Sequence, residues 1–242
     1  KLAADAGMLG GTGENSYIER QKVRDLTKQV NQMYRTQSRS ELLREAIREA
    51  VKALPRTAIY ERAPLCATSE DSDKSLVLAV GDFHYGADID IKGLHGETVN
   101  RYDHNVFEAR MEELLAETKK IVLKEHPHMI FVCIMGDMLD GMLRQSQLMR
   151  LEYGLIESTI RLSEYLAIWM QRLHVETGCL VSVHAVSGNH SEVRPLKAKS
   201  REFEEENLEK IIMWYLESRL AEDGIYIDAG CERMNYVSVE GF

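Results

Sequence analysis

Three apolar runs with the composition of β-strands each end at a glycine that is followed directly by polar side chains. Stretches with helical periodicity separate these runs, so strands and helices alternate along the chain. Such alternation builds a parallel sheet, and ligands bind where the carboxyl ends of its strands meet. The three polar segments are therefore expected at one edge of a sheet. They are Gly81-Asp82-Phe83-His84, Gly136-Asp137-Met138-Leu139-Asp140 and Gly188-Asn189-His190.

Residues 75–242 have the pattern of a layered α/β sandwich. Apolar and β-branched runs predict strands over 75–80, 129–135 and 180–186, with short strands over 225–228 and 236–239. Helical spacing of apolar residues predicts helices over 105–125, 147–175 and 202–220. The acidic residues in the last of these are expected to form a solvated helix face. They are Glu202, Glu204, Glu205, Glu206 and Glu209.

The N-terminal part of the chain has a helical pattern without strands. Two apolar stripes, over residues 14–35 and 38–54, are separated by a polar break at residues 36–39, and Pro55 ends the second stripe. This pattern predicts a helical hairpin. The predicted domains are a loose start plus the hairpin at 1–62, a linker at 63–74 and the α/β domain at 75–242. The last domain ends in a strand-like run, so we expect it to be C-terminally incomplete.

Charge and composition narrow the class of protein. Residues 1–62 contain 12 Lys and Arg against 8 Asp and Glu, whereas the remainder contains 18 against 31. An acidic body of this kind disfavours broad, non-specific binding of nucleic acid. No apolar run approaches the roughly 20 residues that cross a bilayer, and the four cysteines form no CxxC pair. We therefore expect a cytoplasmic protein with reduced thiols and no membrane partner.

The polar segments carry the ligand types of a divalent metal site. Asp82 and His84 alternate in a segment expected to be extended, so their side chains are predicted to project to the same side. The Asp137 carboxylate can bridge two ions, and Asn189 adds an amide oxygen. Mixed nitrogen and oxygen ligands suit Mn or Fe better than calcium. Two such ions, about 3.5 to 4 Å apart, are a known arrangement for in-line attack on a phosphate ester.

The segments DFHYG, GDMLDG and GNHSE together carry a family resemblance. They resemble the first three motifs of the calcineurin-like metallophosphoesterase superfamily, whose pattern runs DxH, GDxxD, GNHD/E and GHxH. Within it, the chain is most similar to the DNA-repair exonuclease branch and to phage-encoded phosphoesterases. The resemblance covers residues 75–242 and implies a metallophosphoesterase-like α/β sandwich of which the first half is present.

The resemblance also implies cofactors and residue roles. It implies two divalent ions, Mn with Fe or Zn as alternatives, and a hydroxide bridging them as nucleophile. His190 would act as general acid near the leaving-group oxygen, and Asp140 would orient it by a hydrogen bond. The implied metal ligands are Asp82 and His84 for the first ion, Asp137 as the bridge and Asn189 for the second ion.

The chain departs from the family pattern in its histidines. Family members complete the ion shells with a further lone histidine and with the GHxH motif, and no histidine follows His190 in this chain. Half of the ligand set is therefore expected to come from elsewhere, and these 242 residues alone are expected to be inactive. Ser191 also stands where the third motif has an acidic residue. Six other histidines match no motif and are expected to be structural or solvent-facing. They are His95, His104, His126, His128, His174 and His184.

Several features bear on substrates and partners. Arg144 and Arg194 lie closest to the second and third motifs and are the predicted phosphate-binding residues. The long connection over residues 85–103 is predicted to shape the substrate site. The N-terminal hairpin is expected to mediate homo-oligomerisation or to bind a protein partner.

The leading hypothesis is a metal-dependent phosphoesterase that hydrolyses phosphodiesters, with DNA as substrate. Three alternatives remain open at this point. The first is a phosphomonoesterase or small-molecule phosphodiesterase with the same site. The second is a non-catalytic scaffold that keeps the fold and binds partners. The third is a DNA-binding protein that uses the basic N-terminal segment.

Overall fold

A computed structural model of the 242-residue chain describes residues 12–54, 72–141, 147, 149–193 and 206–239. The chain divides into two compact units, Lys1–Ala46 and Ile47–Phe242. In the first unit the described residues belong to a helix, α1, which covers Thr12–Lys52. None of the helices in these described ranges has both the length and the apolar character needed to cross a membrane.

The N-terminal helical hairpin predicted from the sequence is wrong. Residues 12–52 form one continuous helix, and it runs through the polar residues 36–39 without a turn. Residues 36–39 include no glycine or proline. Each of the other residue types costs at most about 0.7 kcal/mol relative to alanine in a helix interior. A polar stretch of this kind interrupts an apolar stripe but does not end a helix. Val23, Leu26 and Val30, which belong to that stripe, are exposed.

A parallel sheet lies at the centre of the second unit. The strands of the described chain are β1 Ser75–Val80, β2 Ile89–Lys92, β3 Thr98–Tyr102, β4 Met129–Ile134, β5 Leu180–Ala185 and β6 Ile225–Asp228. Four of them form the sheet in the order β1-β4-β5-β6, and every neighbouring pair is parallel. A separate antiparallel pair joins β2 to β3. The layered α/β class predicted from the sequence is thereby confirmed.

Three further helices flank the sheet. They are α2 His104–Glu125, α3 Leu155–Thr177 and α4 Leu208–Arg219. Alternate residues of the central strands, such as Ile130, Val132 and Val183, are fully buried and belong to one hydrophobic core with the buried residues of these helices. Burial of alternate residues holds the strands in register, because a slip by one residue moves the apolar side chains to the other face.

The first two of these helices begin where local hydrogen bonding dictates. Asp103 caps α2 by accepting a hydrogen bond from the Val106 amide at 2.9 Å. Helix α3 begins at Leu155 instead of at the predicted residue 147. Residues just before it pair with the segment that follows β1. The carbonyl oxygen of Arg150 accepts a hydrogen bond from the Asp88 amide at 2.8 Å, and Leu151 forms a β-bridge with Ala87.

Two other predicted segments differ from the structure. Most of the expected loop over residues 85–103 is the β2–β3 hairpin, because Ile89, Asp90 and Ile91 pair with residues of β3. Residues 236–239 form no strand in the described chain. The start of the helix predicted over 202–220 lies partly outside the described residues, and α4 begins at Leu208 after an Asn207 cap.

Candidate metal centre

Backbone hydrogen bonds tie the loops after β1 and β4 together. The amides of Asp82, His84 and Tyr85 donate to the carbonyl oxygens of Gly136, Asp137 and Met138 at 3.2, 3.0 and 3.0 Å. These bonds extend the parallel pairing of β1 with β4 beyond the ends of the strands, where Tyr85 and Leu139 form a further bridge. The first and second sequence motifs are therefore held side by side.

Three of the predicted ligands have left-handed backbone conformations. The φ angles of Asp82, His84 and Asp137 are 52°, 43° and 52°. The expectation that Asp82 and His84 lie in an extended segment is therefore wrong. Aspartate and histidine are among the non-glycine residues that tolerate this region best, and such conformations concentrate at functional sites. The local turns still bring the two side chains together.

In the described chain, two overlapping groups of side chains have the atom types and spacing that could hold a metal ion. One ligand atom each from Asp82, His84 and Asp137 lie within 4.8 Å of one another, and the same holds for His84, Asp140 and His190. The Asp82 Oδ1 atom lies 4.0 Å from His84 Nε2. On the other side of the ring, Asp140 Oδ1 lies 3.7 Å from His84 Nδ1. His84 is thus common to both groups.

Two carboxylates of the loop after β4 hold His190. Its backbone amide donates to Asp137 Oδ1 at 2.9 Å, and its ring Nδ1 lies 3.3 Å from Asp140 Oδ1. Gln147 Nε2 lies 3.3 Å from the same Asp140 oxygen. The rings of His190 and His84 meet edge to face with their centroids 4.5 Å apart. Asp140 therefore lies within hydrogen-bond distance of the His190 ring, and the orienting role that the resemblance implies stays a prediction.

Charge pairing shifts two pKa values at this centre. The pKa of His84 is raised above its ordinary value, chiefly by its hydrogen bond to Asp140, and burial opposes that shift. Burial acts to raise the pKa of Asp140, but its contacts with His84 and His190 outweigh burial and lower that pKa. The negatively charged Asp140 carboxylate therefore contacts the rings of both His84 and His190.

A polar cleft of about 180 Å³ opens beside Asp137. Asn189 and Arg233 both line it, so the amide predicted as a ligand of the second ion faces the same space as Asp137, the predicted bridge. Arg233 was not among the residues predicted from the sequence. It follows β6 in a segment anchored by the hydrogen bond from the Ser187 amide to the Glu232 carbonyl oxygen at 2.9 Å. Arg233 therefore brings a cation to the cleft, which is also lined by the acidic Glu192 and the amide residue Asn207.

Sequence reasoning also missed Glu209, which was predicted to lie on a solvated helix face. Its side chain is completely buried. One oxygen accepts from the Met138 amide and the Ser191 hydroxyl, both at 2.7 Å, and the other accepts from the Gly188 amide at 2.7 Å. Burial raises the pKa of Glu209, while these three donors oppose the rise. The periodic signal was present, because Glu209 lies on the stripe of Ile212, Met213 and Leu216.

The glycines of the motifs allow the loops to approach closely. A Cβ atom on Gly188 would lie 2.0 Å from the Asp137 amide nitrogen, and one on Gly141 would lie 1.4 Å from the His190 carbonyl oxygen. Real Cβ atoms do not come this close to backbone atoms, so only glycine fits at these contacts. The second and third motifs thus meet backbone to backbone.

Arg144 and Arg194 are outside the described residues. His184, on β5, lies 2.8 Å from Ser182 Oγ and 3.5 Å from Asp228 Oδ2, and it belongs to neither ligand group.

The comparisons with known proteins give one informative match. The chain matches no family model, and no solved structure resembles it. It is 31% identical over 211 residues to the SPbeta prophage-derived uncharacterized protein YonJ of Bacillus subtilis (strain 168). The match covers 85% of this chain and 49% of that protein, so the chain spans about half the length of this relative.

Proposed function

We propose that this chain carries the centre of a divalent-metal-dependent phosphoesterase that cleaves phosphodiester bonds. One observation carries the proposal: ligand atoms of Asp82, His84 and Asp137 lie within 4.8 Å of one another at the carboxyl ends of adjacent parallel strands. Ligand sites of open α/β sheets lie in that position. The left-handed backbone conformation of all three residues costs conformational free energy, and such conformations cluster at functional sites.

The donor set fits Mn, Fe or Zn. Two carboxylates and an imidazole give mixed oxygen and nitrogen ligation, which these ions accept and calcium disfavours. Asp137 would be shared by two ions, because its side chain belongs to the ligand group and also lines the cleft with Asn189. When bound, such ions polarise the phosphoryl group and neutralise its developing charge.

The protein groups around the ions have separate tasks. His190 is held by Asp140 at 3.3 Å, in a position to donate a proton to the leaving-group oxygen. Arg233 lines the cleft beside Asp137 and would bind a non-bridging phosphate oxygen.

We propose DNA as the substrate. The side chain of Asp82 is 82% exposed, so in the described structure this proposed ligand faces an open surface. An open edge admits a polymer backbone, whereas sites for small molecules bury most of their ligand. Phosphomonoesters and small phosphodiesters are the alternative substrates, and they would contact less of the surrounding surface than DNA would.

The test is the Asp137→Asn variant of the whole gene product. Because Asn offers one oxygen instead of two, we expect loss of Mn²⁺ binding, measured by calorimetry. We also expect at least about a 100-fold fall in Mn²⁺-dependent kcat/KM on linear DNA, the upper end of the cost of losing an outer-shell partner. The matched control is Asp90→Asn on β2, whose carboxylate pairs with Lys92 at 2.9 Å and is absent from both ligand groups.

Parallel assays separate the alternatives. Linear DNA, bis-p-nitrophenyl phosphate and p-nitrophenyl phosphate distinguish a nuclease, a general phosphodiesterase and a phosphomonoesterase. Retention of Mn²⁺ binding and hydrolysis by Asp137→Asn would eliminate the proposed centre. Metal binding by the wild-type protein without turnover on any of the three substrates would favour the non-catalytic scaffold.

A further inference from the structure

Glu209 joins the two loops that carry the proposed ligands of the second ion. Its Oε1 atom accepts from the Met138 amide, directly after Asp137, and its Oε2 atom accepts from the Gly188 amide, directly before Asn189. Both distances are 2.7 Å. One carboxylate therefore fixes the backbone next to each of these two ligands.

The donors around Glu209 require a carboxylate. Three donors, the Met138 amide, the Gly188 amide and the Ser191 hydroxyl, point at its two oxygens, and its side chain is completely removed from solvent. A carboxylate offers acceptors on both oxygens, whereas a glutamine amide has one oxygen and two hydrogens that face outward. Glutamine at this position would point N–H groups at one of the loops.

The helix that carries Glu209 is itself fixed to the third motif. The Asn207 side chain caps α4 by accepting from the Glu209 amide at 2.9 Å, and its Nδ2 atom donates to the Gly188 carbonyl oxygen at 2.8 Å. The Leu208 amide donates to the Ser191 carbonyl oxygen at 3.0 Å. The Glu209 side chain thus extends from a helix end that is already tied to the Asn189 loop.

We propose that Glu209 is a positioning residue that sets the separation of Asp137 and Asn189 and thereby the affinity of the centre for its second divalent ion. This role rests on the metal site proposed above. Glu209 itself contacts backbone amides and a hydroxyl and does not belong to either ligand group. Replacement of residues that orient metal ligands commonly lowers metal affinity 10- to 100-fold.

The experiment measures Mn²⁺ binding to Glu209→Gln and Glu209→Ala by calorimetry and by the Mn²⁺ paramagnetic resonance signal. We expect both variants to bind Mn²⁺ at least about tenfold more weakly than the wild type. We also expect faster hydrogen exchange at the Met138 and Gly188 amides in the metal-free protein, since both lose their acceptor in Glu209→Ala. In Glu209→Gln, one of the two amides is expected to stay protected.

The matched control is Met213→Ala, one helical turn along the same buried face of α4. Its cavity lowers Tm without removing an acceptor from either loop, so Mn²⁺ affinity and amide protection at Met138 and Gly188 should remain those of the wild type. If Met213→Ala weakens Mn²⁺ binding as much as the Glu209 variants do, the effect is general instability and the positioning role is wrong.

Two results separate this role from the proposed function. Wild-type affinity in Glu209→Ala, with a lowered Tm, would overturn the role of Glu209 and leave the metal centre intact. Failure of the wild-type protein to bind Mn²⁺ at all would overturn the metal centre, and the positioning role with it. If Glu209→Ala does not fold, the comparison of Glu209→Gln with Met213→Ala decides the question.

Discussion

Single atoms limit what this centre tolerates, and Gly188 is the clearest case. The backbone of the third motif passes so close to Asp137 that an added methyl group would lie 2.0 Å from its amide nitrogen. The contact is between two main chains, so no side-chain rotation can relieve it. The sequence alone indicates a turn at Gly188, but only the structure shows that its hydrogen atom faces another loop.

Gly188→Ala is expected to destabilise the protein by at least about 3 kcal/mol and to weaken Mn²⁺ binding, because the two loops must separate to admit the new atom. Thermal unfolding and calorimetry measure the two effects. Gly154→Ala is the control, since a Cβ there meets nothing within 4 Å. Equal unfolding temperatures for the two variants would mean that the loops are not in contact.

The proximity of Asp82, His84 and Asp137 could be predicted from the sequence, and their role as metal ligands stays a prediction. The solvent exposure predicted for Glu209 was wrong. Asp82, His84 and Asp137 are recognisable because their types and their order after strands are unusual together. Glu209 was assigned to solvent because it lies near other acidic residues in the sequence. Its position on the apolar stripe with Ile212 and Met213 was the better guide, since helix periodicity determines which side of a helix is buried.

At the scale of elements, the strands of the parallel sheet were the most predictable part of the fold. Residues 75–80 and 225–228 form strands at the predicted bounds, and β4 and β5 each end one residue earlier than predicted. Buried parallel strands are short apolar runs, so their sequence signal is strong. Helix boundaries were less predictable. The break assumed at residues 36–39 depended on local polarity, which does not decide where a helix ends. The start predicted at residue 147 came from apolar spacing and lies before the observed start at Leu155.

Helix α2 offers a test of a single cap. Asp103 accepts from the Val106 amide and pairs with Arg101 at 2.9 Å. The hydrogen bond from Val106 is the chief cause that lowers the pKa of Asp103. A carboxyl group whose folded-state pKa is lowered stabilises the fold above its unfolded-state pKa of about 3.9, and this contribution disappears as the pH falls through the folded-state value.

Asp103→Ala is therefore expected to cost about 1 kcal/mol at neutral pH, with a smaller cost below about pH 3.9 as the wild-type carboxyl group becomes protonated. Urea unfolding across that pH range measures the difference. Asp103→Asn is the control, because its amide oxygen keeps the cap at every pH but cannot lose charge. A pH-independent difference between wild type and Asp103→Ala would contradict the assignment.

At the scale of the whole molecule, the charge is unevenly distributed. Residues 63–242 contain 18 Lys and Arg against 31 Asp and Glu, although the proposed substrate is a polyanion. An acidic body limits the attraction of DNA to a few local cations such as Arg233. The chain also spans about half the length of the Bacillus relative, so the substrate contacts of the whole protein remain proposals.

We expect the logarithm of kcat/KM on single-stranded DNA to fall with the logarithm of salt concentration with a slope of about −1 to −2, because few counterions are released. Hydrolysis rates between about 50 and 200 mM NaCl measure this slope. The small diester bis-p-nitrophenyl phosphate controls for effects of salt on the chemical step. A slope steeper than about −5 would instead indicate a broad basic surface, as a DNA-binding role for residues 1–62 requires.

The hydrogen bonds between the loops after β1 and β4 would also affect the thermodynamics of the proposed ion binding. Because the amides of Asp82 and His84 are already bonded to the second motif, the conformational entropy of these loops is lost during folding and not when the ion arrives. Ion binding should then change few backbone dihedral angles. Its entropy should be dominated by water released from the ion and the ligands.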